Sequence, residues 1–334
     1  MLKLPSFQLH FPESLPEAIE MVARYGADAK IIAGGTDLLP SMKQELFTPK
    51  HLISLRRIPA LTSIAPHADG GLRIGAMVTL RALQASAALR ADYPALVHAA
   101  RQVATIILQG MGTIGGNILL DTRCVYYNQS RFWRDAIGRC MKKDGDFCQV
   151  AKSSPRCLAA FSADTVPPLM LYGASVILEG REGAREVPLD AFYRPDGMAW
   201  VDIRPGEILT HVLLPPPEHG WSCLYHKVRI RRTIDYPLVG IGAGIRRGDD
   251  GTVSDARVIL NAVESMPLVV EASPLRGPYP LDEARIGAVV DAAYQKVKPL
   301  TTHGVPPIYR KKMVRVALRR ALFSLGEASS SLSV

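Results

Sequence analysis

The sequence predicts a chain that mixes α-helices with β-strands and divides into two domains. Its 334 residues exceed the size at which a single hydrophobic core usually stops growing. Amphipathic helical patterns alternate with short apolar strand runs from the amino terminus onward. Three consecutive prolines lie within Leu213 to Gly220 and can continue neither a helix nor a central strand, so we place the domain boundary there, at about residue 217.

The amino-terminal half is predicted to begin with a helix, a strand and a glycine turn. Ser14 to Glu17 has the form of a capping box, and apolar residues recur at helical spacing until Gly26. The next apolar run, Lys30 to Ala33, is typical of a buried strand and stops at the turn Gly34-Gly35-Thr36-Asp37. Helices are then predicted over Leu38 to Leu46 and from a Thr79 cap to Tyr93, and strands over Leu52 to Leu55, Leu72 to Ala76 and Ser175 to Glu179.

The carboxy-terminal part is predicted to contain a hairpin and a long final helix. Val239 to Ile245 and Val253 to Val263 flank the turn Gly248-Asp249-Asp250-Gly251. Apolar residues repeat at helical spacing from Met313 to Leu325, with basic residues on the opposite face. The serine-rich end, residues 329–334, is predicted to be disordered.

Composition limits the classes of protein to which the chain can belong. With 48% hydrophobic and 21% charged residues and no apolar run of about 18 residues, we expect a globular protein without a membrane span. The first residues lack the apolar stretch of a secretory signal, so a cytoplasmic location is expected. The formal charge of +9 favours an acidic partner, whereas nucleic acid is not expected because no nucleic-acid module accompanies the charge.

Four of the five cysteines lie in one irregular, basic segment, residues 121–157. Cys124, Cys140, Cys148 and Cys157 follow the spacing C-x15-C-x7-C-x8-C, and the segment holds eight basic but only four acidic residues. A cytosolic chain with so few cysteines is expected to use them for metal or redox chemistry rather than for disulfides. Cys223 stands alone on a predicted strand and is expected to be a packed core residue.

The spacing of these cysteines favours an iron–sulfur cluster over zinc. Structural zinc sites typically take ligands in close pairs such as C-x2-C, and the sequence contains no such pair. A four-iron cubane is larger and takes one thiolate at each iron, so its ligands can come from separate points of a loop. A zinc site and four unrelated buried cysteines remain the alternatives, because the spacing matches neither generic ferredoxin pattern.

Two glycine turns in the first domain are suited to close approach of a phosphate. Gly34-Gly35-Thr36-Asp37 and Gly112-Thr113-Ile114-Gly115-Gly116-Asn117 can point backbone N–H groups at a ligand. In order and residues they resemble the FAD-binding domain of the xanthine dehydrogenase and carbon monoxide dehydrogenase flavoproteins, in which such turns hold the FAD pyrophosphate. The resemblance extends to Ile74 to Leu80, Asp164 to Pro167, Lys227 to Pro237 and Tyr309 to Lys312.

The resemblance implies an α+β fold and a set of FAD contacts. It implies a two-part FAD-binding domain of the p-cresol methylhydroxylase and xanthine dehydrogenase type over residues 1–217, with the cysteine segment inserted, and a smaller carboxy-terminal domain of sheet and helices over residues 218–328. No catalytic acid, base or nucleophile is expected, since a flavin relay requires none. The implied FAD contacts are Ile32, Ala33, Gly34, Gly35, Thr36, Asp37, Leu38, Leu39, Val103, Thr113, Ile114, Gly115, Gly116, Asn117, Asp164, Leu209 and Lys227.

The cysteine segment departs from most of the family and narrows the resemblance. It is similar to the 4-hydroxybenzoyl-CoA reductase branch, whose beta subunit carries an additional [4Fe-4S] cluster in such a loop. This implies an electron-transfer subunit of an oxidoreductase of aromatic-compound degradation, which removes the phenolic hydroxyl of 4-hydroxybenzoyl-CoA with electrons from reduced ferredoxin. The implied partners are a molybdopterin-binding large subunit and a [2Fe-2S] small subunit, in a dimer of heterotrimers. The alternatives are the FAD subunit of an oxidative molybdenum hydroxylase and a zinc-stabilised interaction module.

The positive charge of the cysteine segment is predicted to attract the electron carrier. Its surplus of four basic residues would accelerate encounter with an acidic carrier such as ferredoxin at low salt. Lys142, Lys143 and Lys152 are the predicted docking residues. The alternative is that the charge only offsets the negative charge of the cluster.

Overall fold

The strands form three sheets within residues 2–327, the part of the chain that the computed structural model describes. In chain order the strands are β1 (Gln8–His10), β2 (Ala29–Ile32), β3 (His51–Ser54), β4 (Ile64–Pro66), β5 (Leu72–Gly75), β6 (Ser175–Gly180), β7 (Gly183–Pro188), β8 (Ile208–Leu214), β9 (Trp221–Val228), β10 (Val239–Arg247), β11 (Thr252–Asn261), β12 (Leu268–Val270) and β13 (Gly277–Pro278). The helices are α1 (Leu15–Tyr25), α2 (Leu38–Lys43), α3 (Leu80–Ala85), α4 (Ala87–Asp92), α5 (Pro94–Arg101), α6 (Ile106–Gln109), α7 (Ile114–Ile118), α8 (Arg131–Ile137), α9 (Val166–Leu171), α10 (Leu189–Phe192), α11 (Glu283–Lys296) and α12 (Pro307–Glu327).

The first sheet is parallel and lies near the amino terminus. Its order is β1-β3-β2, and Ile31 of β2 pairs with Ile53 of β3. Helix α1 connects β1 to β2 and packs on the sheet through apolar residues that include Ala18. The Ser14 hydroxyl caps α1 by accepting a hydrogen bond from the Glu17 N–H at 3.3 Å, as predicted. The first glycine turn therefore begins at the carboxyl end of β2.

The second sheet is antiparallel and carries most of the amino-terminal core. Its order is β4-β5-β8-β6-β7. Strand residues such as Val176 and Val212 share one buried cluster with Leu96 of α5, Ile114 of α7 and Leu169 of α9. Burial of this apolar surface holds the second glycine turn, at the start of α7, against the sheet.

One predicted helix is divided into two. Thr79 caps α3 as expected, accepting from the Ala82 N–H at 3.1 Å, but α3 ends at Ala85. Ser86 has an extended backbone, with φ −66° and ψ 122°, and its hydroxyl accepts from the Leu89 N–H at 3.4 Å. A serine hydroxyl that competes for backbone donors favours a cap over a helix interior, and this explains the start of α4.

The third sheet and the two longest helices form the carboxy-terminal part of the chain. The sheet is antiparallel in the order β12-β11-β10-β9, with β13 beside β11. The predicted hairpin is confirmed as β10 and β11, in which Ile245 pairs with Ala256. Helices α11 and α12 pack against each other and share a buried cluster with the sheet. Helices and largely antiparallel sheets that occupy separate layers confirm the α+β class.

Two further predictions concern segments between or beyond these elements. Leu213 and Leu214 are the last residues of β8, so the irregular connection to β9 is shorter than the predicted linker. The predicted disordered end, residues 329–334, lies outside the described residues. Within residues 2–327, no helix has the length and apolar character needed to cross a membrane.

Candidate cofactor site

The two glycine turns meet backbone to backbone at the carboxyl end of β2. A Cβ atom on Gly34 would lie 2.0 Å from the Met111 carbonyl oxygen, so only glycine allows this approach. A neighbouring segment of the chain holds the second turn in place. The Ile114 N–H donates to the Val78 carbonyl at 2.9 Å, and the Gly115 N–H donates to the Ala76 carbonyl at 3.0 Å. Three segments that the resemblance identified separately therefore converge.

The first turn presents a row of unused hydrogen-bond donors. No backbone N–H from Gly34 to Leu38 donates to an acceptor within residues 2–327. Gly35 has a left-handed backbone, with φ 71°, which turns successive N–H groups toward one side. Such a row of free donors binds phosphate-like anions well, so this turn fits the pyrophosphate of FAD.

The second turn differs because its N–H groups from Ile114 to Asn117 are already paired. The Gly116 N–H donates to the Thr113 hydroxyl at 3.1 Å, and the Asn117 N–H donates to the Thr113 carbonyl at 2.9 Å. A Cβ atom on Gly115 would lie 2.7 Å from Cβ of Ala76, so internal packing already requires this glycine. The contribution of Thr113 to Asn117 to FAD binding stays a prediction.

Asp164 and Lys227 lie together in a buried ion pair between the two parts of the chain. The Lys227 Nζ is 2.9 Å from Asp164 Oδ2, and their side chains are 0% and 5% exposed. The ammonium also donates to the backbone carbonyls of Gln102, at 3.0 Å, and Asp235, at 2.9 Å. The Tyr225 hydroxyl donates to the other Asp164 oxygen at 2.6 Å. All three protons of Lys227 are thus used inside the protein.

The charge state of this pair follows from opposing influences. Burial raises the pKa of Asp164, while Lys227 and the Tyr225 hydroxyl favour the carboxylate. Tyr225 is a residue that the sequence reasoning missed. Its position two residues before Lys227 on one strand, which puts both side chains on one face, was the available signal.

Most of the remaining predicted FAD contacts are apolar. Ile32, Ala33, Leu38 and Leu39 are half-buried around the first turn. Val103 is half-buried against the amino-terminal core, and its carbonyl accepts from Gln109 Nε2 at 2.6 Å. Leu209 is buried in β8 within the same core. Asn117 Oδ1 accepts from the Thr165 N–H at 3.1 Å and so ties the second turn to the Asp164 segment.

The four cysteines of the inserted segment are all buried and none forms a disulfide. Their exposure lies between 4% and 8%, and Cys124, Cys140 and Cys157 share a small core with Leu46 and Tyr127. Burial raises the pKa of Cys124 to about 12 and that of Cys157 to about 11, and the nearby thiols add to both shifts. Four thiols that influence one another electrostatically lie in one buried region.

The geometry of the thiol region bears on which metal it suits. Within residues 2–327, no three His, Cys, Asp or Glu side chains are arranged around a position for a single metal ion. A tetrahedral zinc ion needs its sulfurs gathered about 2.3 Å from one point. A cubane accepts one sulfur at each of four irons, so it requires a wider set of thiols. The predicted [4Fe-4S] cluster on Cys124, Cys140, Cys148 and Cys157 therefore stays a prediction.

The two ends of the inserted segment are fastened together. The Arg123 N–H donates to the Ala160 carbonyl, and the Ala160 N–H donates to the Arg123 carbonyl, both at 2.7 Å. The Cys157 N–H donates to Asp196 Oδ1 at 3.2 Å. A Cβ atom on Gly197 would lie 2.9 Å from the Cys157 sulfur, so glycine leaves room beside that thiol.

Lys142 is not a surface docking residue, contrary to the prediction. Its side chain is 6% exposed, and its Nζ lies 2.6 Å from Asp121 Oδ1. The ammonium also donates to the Gly197 carbonyl at 2.9 Å and lies 4.5 Å from the centre of the Tyr127 ring. A lysine amid carbonyls, a carboxylate and an aromatic face is enclosed beside the thiols, whereas Lys152 is exposed. A count of charges along the sequence cannot distinguish an enclosed lysine from an exposed one.

The fold and this site define a flavoprotein subunit with a two-part cofactor domain. The sequence model for the "FAD binding domain in molybdopterin dehydrogenase" matches residues 5–217, and the "CO dehydrogenase flavoprotein C-terminal domain" matches residues 224–325. The chain belongs to this family of FAD-binding subunits of molybdopterin dehydrogenases.

Similar proteins agree with this assignment. The carbon monoxide dehydrogenase medium chain of Afipia carboxidovorans is 31% identical over 95% of this chain and 96% of its own length. The aldehyde oxidoreductase FAD-binding subunit PaoB of Escherichia coli is 35% identical over 77% of this chain and 82% of its own length. A chain of reconstituted CO dehydrogenase from Oligotropha carboxidovorans superposes with a TM-score of 0.79 at 28% identity, covering 98% of this chain and 100% of that one.

Proposed function

We propose that this chain is the FAD-binding, electron-transfer subunit of an oxidative molybdenum hydroxylase. The observation that carries the proposal is the first glycine turn, whose free N–H groups from Gly34 to Leu38 lie beside Met111, the residue before the second turn. FAD, when bound, supplies one- and two-electron transfer, and substrate chemistry belongs to a partner subunit. The named relatives act on carbon monoxide and on aldehydes, and this favours an oxidative over a reductive reaction.

The proposed partners are a molybdopterin-binding large subunit and a [2Fe-2S] small subunit, in a dimer of heterotrimers. The carbon monoxide dehydrogenase relatives are named as medium chains, which places each of them beside other chains. The net charge of +9 favours partners with acidic surfaces. Co-purification tests this assembly, and a chain that elutes alone from its native host would contradict it.

A [4Fe-4S] cluster on Cys124, Cys140, Cys148 and Cys157 is the second proposed redox group. Its support is the burial of all four thiols, three of which share one small core while Cys148 acts electrostatically on Cys124 and Cys157, together with the cations enclosed beside them. Lys142 is buried there, and Arg134, 3% exposed, donates to the Gln44 carbonyl at 2.9 Å. Iron binding must remove the thiol protons, and fixed positive charges would stabilise the resulting anionic group.

Metal and flavin analysis of the full chain, purified without oxygen, tests both cofactors. We expect one FAD and four irons with four sulfides per chain, about the content of one cubane. Cys148→Ser should lower the iron content, because it removes a buried thiol ligand. Cys223→Ser is the matched control, since Cys223 pairs with Gly244 in the third sheet and should leave iron unchanged. Stoichiometric zinc, or equal iron in both variants, would exclude the cluster.

The second candidate is the reductive subunit of a 4-hydroxybenzoyl-CoA reductase, with reduced ferredoxin as electron donor. The observation that favours it is the inserted four-cysteine segment, residues 121–157. An assay of the isolated complex decides between the candidates. Dye reduction by an aldehyde or carbon monoxide supports the oxidative role. Conversion of 4-hydroxybenzoyl-CoA to benzoyl-CoA with reduced ferredoxin, and no dye reduction by those substrates, would support the reductive role instead.

A further inference from the structure

One arginine joins the cysteine segment to the first glycine turn. Arg123 immediately precedes Cys124, and its guanidinium forms an ion pair with Asp37. The same guanidinium donates to the Tyr236 hydroxyl at 2.5 Å and lies 4.5 Å from the centre of that ring. Three distant parts of the chain therefore meet at Arg123.

The position of Arg123 is set by its backbone and not only by its ion pair. Its N–H and carbonyl both bond to Ala160 at 2.7 Å, and the next N–H, that of Cys124, donates to Asn128 Oδ1 at 2.9 Å. The Arg123 side chain is 14% exposed and the Asp37 side chain 29%, so water screens their interaction only in part. A shift of Cys124 would be transmitted to the guanidinium through one peptide unit.

The charge of Asp37 explains what this contact does for the cofactor. Asp37 lies within the row of free N–H groups from Gly34 to Leu38, where the pyrophosphate of FAD is proposed to bind. An unpaired carboxylate at that point would repel a phosphate, whereas a paired one leaves the turn open to an anion. Arg123 therefore neutralises the one acidic side chain of the turn.

We propose that Arg123 couples the four-cysteine site to FAD affinity by holding its guanidinium on Asp37. The inference rests on the proposed cofactors, FAD and the cubane. When the cysteines bind their metal group, Cys124 is fixed and Arg123 stays on Asp37. When the group is absent, Arg123 keeps its backbone bonds to Ala160, but its neighbour Cys124 is no longer fixed by the metal, so the guanidinium leaves Asp37 more often and FAD binds more weakly. Because coupling is reciprocal, bound FAD also raises the affinity of the cysteines for their metal group.

The test measures the FAD dissociation constant of the full chain by flavin fluorescence, with iron present and after its removal by a chelator. In the wild type, iron removal should raise the constant by roughly 5- to 150-fold, the usual span of coupling between two sites. Arg123→Gln should bind FAD weakly in both states, so the dependence on iron disappears. Arg123→Lys keeps the positive charge and should keep part of the dependence.

Two further variants separate charge neutralisation from general damage. Asp37→Asn combined with Arg123→Gln removes both charges and should recover FAD affinity without recovering the dependence on iron. Arg131→Gln is the matched control, since Arg131 also joins the cysteine segment to a carboxylate of the first domain, Glu45 at 3.1 Å, but does not contact the glycine turn. This control should behave like the wild type.

The outcomes distinguish this inference from the function on which it rests. If the wild-type chain binds iron and FAD but FAD affinity ignores iron, the coupling is wrong and the proposed function stands. If iron dependence persists in Arg123→Gln, the coupling exists but Arg123 does not carry it, and the inference is overturned. If the wild-type chain binds neither iron nor FAD, the proposed function itself fails and takes the inference with it.

Discussion

The absence of a side chain at Gly34 allows the first glycine turn to approach the second. The distance of 2.0 Å between an added Cβ and the Met111 carbonyl oxygen is far below a normal contact. The obstacle is backbone and not a flexible side chain, so it cannot move aside without separating the two turns. Gly35 contributes differently, through its left-handed φ of 71°.

We predict that Gly34→Ala lowers FAD affinity at least tenfold, because the two turns must separate to admit the methyl group. A tenfold loss corresponds to about 1.4 kcal/mol, which is modest beside the cost of such a clash. Flavin content of the purified chain and the FAD dissociation constant measure the effect. Gly287→Ala is the control, since it adds a methyl group to α11 with no atom within 4 Å. Wild-type FAD affinity in Gly34→Ala would disprove the role of this contact.

At the scale of elements, the connection between α11 and α12 contacts the cysteine segment. The Val125 N–H donates to the Thr302 carbonyl at 2.9 Å. Arg310 of α12 is fully buried and donates to the Leu300 carbonyl at 3.1 Å. His303 lies between these contacts, and burial together with the nearby Arg310 lowers its pKa to about 3.

We predict that His303 makes the chain less stable in acid. In the folded protein the imidazole stays neutral down to about pH 3, whereas in the unfolded chain it takes up a proton below about pH 6.5. The unfolded state therefore binds more protons between these values, and stability falls as the pH falls. From pH 7.5 to 5.5 this single group should lower the unfolding free energy by about 1.4 kcal/mol.

Urea unfolding of wild type and His303→Asn at both pH values measures this contribution. The variant should lose less stability on acidification than the wild type, by the amount given above. His219→Asn, at an exposed position in the connection between β8 and β9, is the control and should follow the wild type. Equal acid sensitivity in His303→Asn would show that other groups dominate.

At the scale of the whole molecule, the buried Lys227–Asp164 pair fastens the carboxy-terminal sheet to the FAD-binding part. Lys227 belongs to β9, while Asp164 precedes α9. Asn261 adds a second buried tie, because its side chain donates to the Ala163 carbonyl at 2.6 Å. Removing one member of a buried pair leaves the other charge without compensation, which costs far more than losing a surface pair.

We predict that Lys227→Met lowers the unfolding free energy by about 3–5 kcal/mol. Combining it with Asp164→Asn removes the stranded charge and should restore part of the loss. Lys50→Met is the control, since the Lys50–Asp28 pair is largely exposed and should contribute less than about 1 kcal/mol. Chemical denaturation of the four proteins decides the matter, and a loss in Lys227→Met no larger than the control's would contradict the role of the pair.

Much of the architecture is readable from local patterns because it depends on near neighbours. The caps at Ser14 and Thr79 act over three residues, and the hairpin turn acts over four. Such local signals do not depend on how the rest of the chain folds. Ser86 shows their limit, because a helical apolar pattern concealed a cap whose own hydroxyl ends the helix.

Predictions about the cofactor site depend on the same distinction between local sequence signals and contacts made by folding. The sequence by itself determined which residue types meet: two glycine turns, four cysteines in one segment and a family of FAD-binding subunits. Only the tertiary structure decided that the first turn keeps free N–H groups while those from Ile114 to Asn117 in the second are paired. It also decided that Lys142 is enclosed and that Arg123 reaches Asp37. The physical reason is range. Hydrogen-bond satisfaction, burial and charge pairing depend on partners brought together by folding, and no local spacing records which partner that will be.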